Sequence, residues 1–240
     1  ELKYAALLHD FGKVGVRESV LVKEKKLTAG SLENIQYRIW LAQEKLRTLA
    51  LGKQLEMYKN GNALESEVQL ISAQLEADIR MLNEFYETIT EVNEPSILKE
   101  DNKEMLDKIN SYNFDTLDDD LTIITEEEFN LLSIKKGSLS PTERKEIESH
   151  VVHTQNFLNH IPWTKEFQNV PTIAGAHHEK LDGSGYPYGM TAEQIPLPSK
   201  IMTICDIYDA LTASDRPYKP AMGTEKALDI LTFESKQGFL

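Results

Sequence analysis

Residues 177–187 read His-His-Glu-Lys-Leu-Asp-Gly-Ser-Gly-Tyr-Pro, and this stretch decides how the rest of the chain is interpreted. Its two glycines and its proline interrupt any regular helix, so the adjacent histidines stand where a helix gives way to a loop. Neighbouring side chains at the end of a helix point about 100° apart, which favours a cluster of metal ions over one cramped ion. The alternative interpretation is two surface histidines ahead of a turn.

The composition limits the classes of protein that this chain can belong to. Its 240 residues, of which 40% are hydrophobic, suffice for one core or for one core with an appended segment. The net charge of −13 argues against binding DNA by neutralising phosphates. No run of residues reaches the roughly 18 to 20 apolar residues of a membrane span. The single cysteine, Cys205, excludes an internal disulfide and is consistent with a cytoplasmic protein.

The acidic charge is concentrated in the middle of the chain. Residues 28–140 hold 22 acids and 11 bases, whereas the two flanks together hold 17 acids and 15 bases. We therefore expect two parts, residues 1–27 with 137–240 and an acidic insertion at residues 28–136. The chain begins inside a predicted helix, at residues 2–8, and ends at residue 240 without a terminating signal, so we expect a fragment of a longer protein.

Two long stretches of the insertion have apolar residues at alternating steps of three and four, the pattern of a coiled-coil seam. A turn at residues 59–62 separates them, which predicts an antiparallel helical hairpin without histidine or cysteine. We interpret it as structural, or as a contact surface for a homodimer or a signalling partner. Its two seams comprise Leu32, Ile35, Ile39, Ala42, Leu46 and Leu49, then Leu64, Val68, Ile71, Leu75, Ile79, Leu82, Tyr86 and Ile89.

The flanking segments contain further candidates for a site. Residues 1–13 are predicted to be a helix in which His9 and Asp10 form an adjacent pair of potential ligands and Lys13 lies one turn beyond His9. A helix beginning at Pro141 carries His150, with His153 on the same side.

Two further helix signals complete the pattern. Thr125 and Glu128 form a predicted capping box at the start of a short helix. A later helix, from residues 198–199, carries Asp206 and Asp209 beside an expected buried stripe. The residues of that stripe are Ile201, Ile204, Tyr208 and Leu211. The acids at residues 118–120 are interpreted as a solvated turn.

Together these motifs resemble the HD-GYP branch of the HD phosphohydrolases. The resemblance covers roughly residues 1–27 and 137–240 and depends on the order of the motifs along the chain. It is carried by His9-Asp10 with Gly12-Lys13, by His150, by His177-His178-Glu179, by the Asp182 to Pro187 loop, and by Asp206.

The resemblance implies an all-α bundle that holds two or three divalent metal ions, iron or manganese, and hydrolyses cyclic di-GMP. By position, His9, Asp10, His150, His177, His178 and Asp206 would be metal ligands, with Asp10 and Lys13 in the catalytic role. Cyclic di-GMP would be bound by Lys13, Gly183, Gly185, Tyr186, Arg216 and Lys219. Glu179 is expected to orient a ligand histidine or to be a plain helix-end carboxylate.

The chain departs from this family in three respects, of which one is that the end of the usual domain is missing, so we expect sensory or receiver domains to flank this fragment. Members carry a further Glu or His ligand before the His-Asp pair, and this chain does not contain that region. The long hairpin also replaces a connection that is short in the family. Two alternative functions stay open: a receptor that binds cyclic di-GMP without cleaving it, and a phosphohydrolase for another cyclic dinucleotide.

Overall fold

The computed structural model describes residues 1–112, 122–213 and 221–240. These residues form helices without any strand, apart from one isolated antiparallel bridge between Asp182 and Thr191. The expected all-α fold is confirmed. No described helix is both long enough and apolar enough to cross a membrane.

The helices follow one another with short connections. A 3₁₀ helix at Phe11–Gly15 stands between the first two α-helices. The α-helices are α1 Leu2–Leu8, α2 Glu18–Leu21, α3 Ala29–Lys59, α4 Glu65–Val92, α5 Glu100–Ser111, α6 Glu126–Leu132, α7 Pro141–Glu148, α8 His150–Asn159, α9 Val170–Gly175, α10 Leu197–Thr212 and α11 Thr224–Lys236.

The chain divides into two compact units. The terminal unit comprises Glu1–Val22 and Pro141–Leu240, and the hairpin unit comprises Lys23–Ser140. The predicted acidic insertion, residues 28–136, lies inside the hairpin unit. Its exact boundaries stay a prediction.

The hairpin unit is built on α3 and α4, which run antiparallel as the two seams predict. Its core consists of Ile35, Ile39 and Ala42 of α3, Leu82, Phe85 and Ile89 of α4, and residues of α5 and α6 such as Leu106, Ile109 and Leu132. Thr125 and Glu128 form the predicted capping box at the start of α6.

The terminal unit has a smaller core between α1, α8, α9 and α10. Its buried members are Ala5, Leu158, Val170, Ile173, Ala174 and Met202. Helix α9 has no charged residue and is buried over most of its length. The residues that follow its C-terminal end therefore begin inside the unit.

The first helix is shorter than predicted. It ends at Leu8, and the chain continues as a 3₁₀ helix, because the His9 carbonyl accepts a hydrogen bond from the Thr154 hydroxyl. The Lys13 amide donates to the carbonyl of Asp10, which is the 3₁₀ pattern. The change of helix type turns Asp10 and Lys13 toward one another.

Candidate metal centre

Six predicted ligand residues come together in the terminal unit. His9 ends α1, His150 begins α8, and Asp206 lies within α10. The side chains of His150, His177 and His178 form one group whose ligand atoms lie within 4.8 Å of one another, and those of His9, His177 and Asp206 form a second.

Asp10 links the two groups. Its two carboxylate oxygens lie 3.3 Å from Nε2 of His150 and 3.3 Å from Nε2 of His9. The Oδ1 atom of Asp206 lies 3.6 Å from the same His9 nitrogen. The structure thus places all six residues that the resemblance nominated around one centre.

Three of the histidines are held in the same way. The Nδ1 atoms of His9, His150 and His177 lie 2.8, 2.6 and 2.6 Å from the backbone carbonyl three residues earlier. A carbonyl only accepts, so Nδ1 carries the proton and Nε2 is the nitrogen that faces the centre. Fixing the tautomer in this way is the usual arrangement behind a metal-binding histidine.

The atoms that face the centre lack hydrogen-bond partners in the part of the chain that the structure describes. They are Nε2 of His9, His150 and His177 and Oδ1 of Asp10, and all are buried. Leaving buried polar atoms unsatisfied costs about 1–3 kcal/mol each. A nitrogen- and oxygen-rich set of this kind suits divalent ions such as iron, manganese or zinc, so these residues fit a metal cluster.

The histidines of the centre differ in the direction in which their pKa is shifted. The carboxylate of Asp10, and after it that of Asp206, raises the pKa of His9 to about 10. Burial lowers the pKa of His177 to about 4 and that of His178 to about 3. His177 and His178 therefore offer neutral lone pairs at neutral pH, and His9 sits between two carboxylates where a cation is favoured.

Asp10 also contacts Lys13. Burial raises the pKa of Asp10, but the neighbouring His150 and His9 side chains and the Lys13 ammonium outweigh burial and hold that pKa well below its usual range. The Lys13 ammonium donates to Oδ2 over 2.6 Å and is 43% exposed. It therefore places a positive charge at the solvent side of the centre.

Two threonines that sequence reasoning missed hold the ligand-bearing segments. The buried Thr154 hydroxyl donates to the His9 carbonyl over 2.9 Å and accepts from the Gly12 amide over 2.8 Å. A Cβ atom on Gly12 would lie 2.0 Å from the His150 carbonyl oxygen, so only glycine permits this approach. The Thr203 hydroxyl lies 2.7 Å from the His177 carbonyl oxygen, to which it donates.

The buried face of α10 is not the predicted one. Ile201 and Ile204 are 44% and 43% exposed, so the expected apolar stripe was wrong. Ser199 and Thr203 are buried instead, and their hydroxyls donate to the backbone carbonyls of Ile173 and His177. Short hydroxyl side chains satisfy the carbonyls at the end of α9 and bring Asp206 close to the histidines.

The loop after the paired histidines forms one wall of the centre. The ring of Tyr186 stacks on that of His178, with centroids 4.8 Å apart and planes inclined by 28°. Burial raises the pKa of Tyr186 well above its usual range, so the phenol stays neutral. Gly183 has a φ of +80°, and a Cβ atom on Gly185 would lie 2.3 Å from the Lys180 nitrogen, so the loop needs both glycines.

Glu179 has a different role from the predicted one. It is 2% exposed, and its two oxygens accept the backbone amides of Tyr188 over 2.7 Å and Met190 over 2.8 Å. The proposal that it orients a ligand histidine was therefore wrong, because its carboxylate is used by the loop.

Some predicted residues fall outside the described part of the chain, and two further histidines lie away from the centre. Arg216, Lys219 and the acids at residues 118–120 fall outside the described residues. His153 lies against Gly15, near the Ser149 hydroxyl, and His160 is exposed, with Nδ1 against the Asn156 carbonyl. Neither histidine belongs to the two ligand groups.

Comparison with known proteins gives one family match and several relatives. Residues 126–239 match the model of the HD domain family. A 3'3'-cGAMP-specific phosphodiesterase 3 of Vibrio cholerae is 41% identical over 102 residues, which are 42% of this chain and 21% of the relative. The cyclic di-GMP phosphodiesterase response regulator RpfG of Xanthomonas campestris is 49% identical over 59 residues, 25% of this chain and 15% of the relative.

A third relative is a cyclic di-GMP phosphodiesterase of Thermotoga maritima, 35% identical over 94 residues, which are 39% of this chain and 25% of the relative. The chain spans a quarter or less of the length of these three relatives. The family match begins at α6, so His9 and Asp10 lie outside it and reach the centre through the fold of the terminal unit.

Proposed function

Because residues 126–239 match the HD domain family, we propose that this chain is a metal-dependent phosphodiesterase that hydrolyses cyclic di-GMP. The observation that supports this most directly is the convergence of six candidate ligand residues, four of whose buried atoms lack hydrogen-bond partners among the described residues. The names of the relatives support the substrate class, a cyclic dinucleotide.

The proposed ligands are His9, Asp10, His150, His177, His178 and Asp206, and we expect two or three iron or manganese ions. Bound divalent ions would lower the pKa of a coordinated water and neutralise the charge of a phosphodiester. Asp10, which contacts His9 on one side and His150 on the other, is the residue best placed to serve both groups.

Other side chains would bind and orient the substrate. The exposed Lys13 ammonium uses one of its three donors on Asp10 and can direct the others at a phosphate oxygen. The Tyr186 ring forms a wall on which a base can stack, and such contacts contribute about 1–3 kcal/mol per base. Gly183 and Gly185 would let the loop approach the nucleotide.

In the proposed reaction one phosphorus–oxygen ester bond of the cyclic dinucleotide breaks. An oxygen derived from water takes its place on phosphorus, and the leaving ribose oxygen takes up a proton. The first product is the linear dinucleotide pGpG, and a second hydrolysis would give GMP. Arg216 and Lys219 are proposed to hold a phosphate or base.

A second candidate substrate is a mixed cyclic dinucleotide. The Vibrio cholerae relative, 41% identical to this chain, is named for 3'3'-cGAMP, whereas two other relatives are named for cyclic di-GMP. These substrates share the phosphodiester ring and differ in one base, so Asp10 and Lys13 serve either. A receptor that binds without hydrolysis is the remaining alternative.

The test compares Asp10→Ala and Asp206→Asn with the parent protein. We expect both variants to lose bound metal and to lower the rate of hydrolysis of cyclic di-GMP by at least a hundredfold, because each removes a proposed ligand. Elemental analysis and chromatography of the products measure both effects. Hydrolysis of 3'3'-cGAMP is assayed in parallel to establish base preference.

Asp209→Asn is the matched control. Asp209 is exposed on the same helix, three residues beyond Asp206, and belongs to neither ligand group. It should leave metal content and rate unchanged. Undiminished hydrolysis by Asp10→Ala would refute the proposed site, and a metal-loaded parent protein that binds the nucleotide without turnover would favour the receptor.

A further inference from the structure

The apolar face of the hairpin continues beyond the helices that cover it. In the inner half, Ile35, Ile39, Leu82, Phe85 and Ile89 are buried with the help of α5 and α6. In the outer half, Ala50 is the one buried residue of α3 after Gln43, and α4, which the structure describes in full, has none before Leu82.

The outer half nevertheless keeps the apolar pattern of the inner half. Leu46 follows Ile39 by seven residues and Leu75 precedes Leu82 by seven, so both lie on the same side of their helices as the core residues. Between the two helices this face forms an open groove of about 470 Å³. Its apolar lining is Leu46, Leu49, Ala50, Leu70, Ile71 and Leu75.

The two helices that form the groove carry opposite net charge, and one charged residue of each sign lines it. The outer part of α3, residues 44–59, has four bases and two acids, and the facing part of α4, residues 65–80, has four acids and one base. Within the groove lining itself, Lys53 belongs to α3 and Asp78 to α4. A surface with both signs side by side is complementary to a second copy of itself.

We propose that the outer half of the hairpin binds the same surface of a second copy of this chain. A two-fold axis parallel to the helices places α3 of each copy over α4 of the other, so that bases face acids. An axis perpendicular to the helices would place α3 over α3 and α4 over α4, with like charges opposed. The charge pattern therefore selects the four-helix arrangement whose two-fold axis is parallel to the helices, in which α3 of one copy faces α4 of the other.

The size of the surface predicts the strength of the contact. Sixteen residues of helix span about 24 Å, and two adjacent helices present a face about 20 Å wide. The face of each copy covers roughly 480 Å², well below the roughly 800 Å² per partner of a standard interface. The dimer is therefore reversible and dissociates on dilution.

The experiment is sedimentation velocity on the full chain over a range of concentrations from submicromolar upward. We expect a monomer–dimer equilibrium that Leu70→Glu weakens at least tenfold, because it places a charge in the apolar lining. Leu70 is 70% exposed, so its replacement leaves the monomer fold intact, and circular dichroism verifies this. Leu49→Glu provides a second variant of the same lining.

The matched control is Leu51→Glu. Leu51 is 63% exposed but lies about 140° around the α3 axis from Leu46, on the other side of the hairpin. It should leave the dimer unchanged. A chain that stays monomeric at all concentrations, or a dimer that Leu51→Glu disrupts and Leu70→Glu does not, would overturn the proposal.

Charge reversal tests the arrangement of the helices. Lys53→Glu alone should weaken the dimer, and the double variant Lys53→Glu/Asp78→Lys should restore it by exchanging the two signs. The effect should shrink at high salt, because these groups are near the surface. Failure of the double variant to recover would exclude the α3-over-α4 pairing.

Discussion

Glu179 shows how one buried carboxylate can shape a site without touching the proposed ligands. Burying a charge is costly unless it is hydrogen-bonded, and both oxygens of Glu179 accept backbone amides nine and eleven residues along the chain. These bonds close the segment between Glu179 and Met190 into a fixed loop. That loop carries Tyr186, whose ring stacks on His178.

We predict that Glu179→Gln impairs substrate binding and spares metal binding. The amide keeps one acceptor, and its NH₂ group opposes a backbone N–H, which leaves a buried donor unsatisfied at a cost of about 1–3 kcal/mol. On the proposed function, KM for the cyclic dinucleotide should rise about tenfold, more than kcat falls. Kinetics and elemental analysis measure the two effects.

Glu193→Gln is the control for this substitution, since Glu193 is exposed in the segment that follows the loop. It should behave like the parent protein. Loss of metal from Glu179→Gln would show that the carboxylate supports the ligands directly, and an unchanged KM would show that the loop does not contact the substrate.

The proposed ligand residues could be identified from sequence because their types and order are distinctive. The supporting contacts could not, because the carbonyls that accept from Nδ1 of His9, His150 and His177 depend on backbone geometry. Thr154 did offer a signal, since it lies four residues after His150 on the same face of α8. Thr203, three residues before Asp206, offered a similar one.

At the level of elements, the long helices were predictable and the site helices less so. The seams of α3 and α4 extend over many turns, so their period is unambiguous. Helix α10 has apolar residues on more than one side, and hydroxyl contacts to the end of α9 decide which side is buried. The predicted α1 reached residue 13, which is too long. The contact that accompanies its earlier end comes from Thr154, 145 residues beyond His9, and the local sequence gives no sign of it.

The start of α6 has a capping box, which was predicted, and an ion pair, which was not. Thr125 accepts from the Glu128 amide, and the Glu128 carboxylate accepts from the Thr125 amide over 2.8 Å. The same carboxylate accepts two hydrogen bonds, of 2.6 and 2.7 Å, from Arg38 of α3. Glu128 therefore caps α6 and also ties it to the hairpin.

We predict that Glu128→Ala destabilises the hairpin unit more than Thr125→Ala does. Removing the threonine cap should cost about 1 kcal/mol. Removing Glu128 should cost more, because it also leaves the half-buried guanidinium of Arg38 without its partner. Urea unfolding followed by circular dichroism measures both. Glu127→Ala, at an exposed position in the same turn, is the control, and equal losses for Glu128→Ala and Thr125→Ala would show that the Arg38 pair contributes nothing.

At the scale of the whole chain, the hairpin unit begins and ends at neighbouring points. The Ser138 hydroxyl donates to the Lys23 carbonyl over 2.9 Å, so the entering and leaving segments run side by side. All six proposed metal ligands belong to the terminal unit, which has its own core. The hairpin unit can therefore be removed as a whole.

Replacing residues 24–137 with a short Gly-Ser linker should retain metal binding and hydrolysis and abolish the dimer. A deletion confined to residues 31–95, the hairpin alone, would instead expose the core residues Leu106, Ile109 and Leu132 of α5 and α6 and promote aggregation. Elemental analysis, product chromatography and sedimentation velocity measure the three properties on the larger deletion. Since neither ligand group includes a residue of the hairpin unit, a variant that stays folded by circular dichroism but loses its metal would contradict this division of roles.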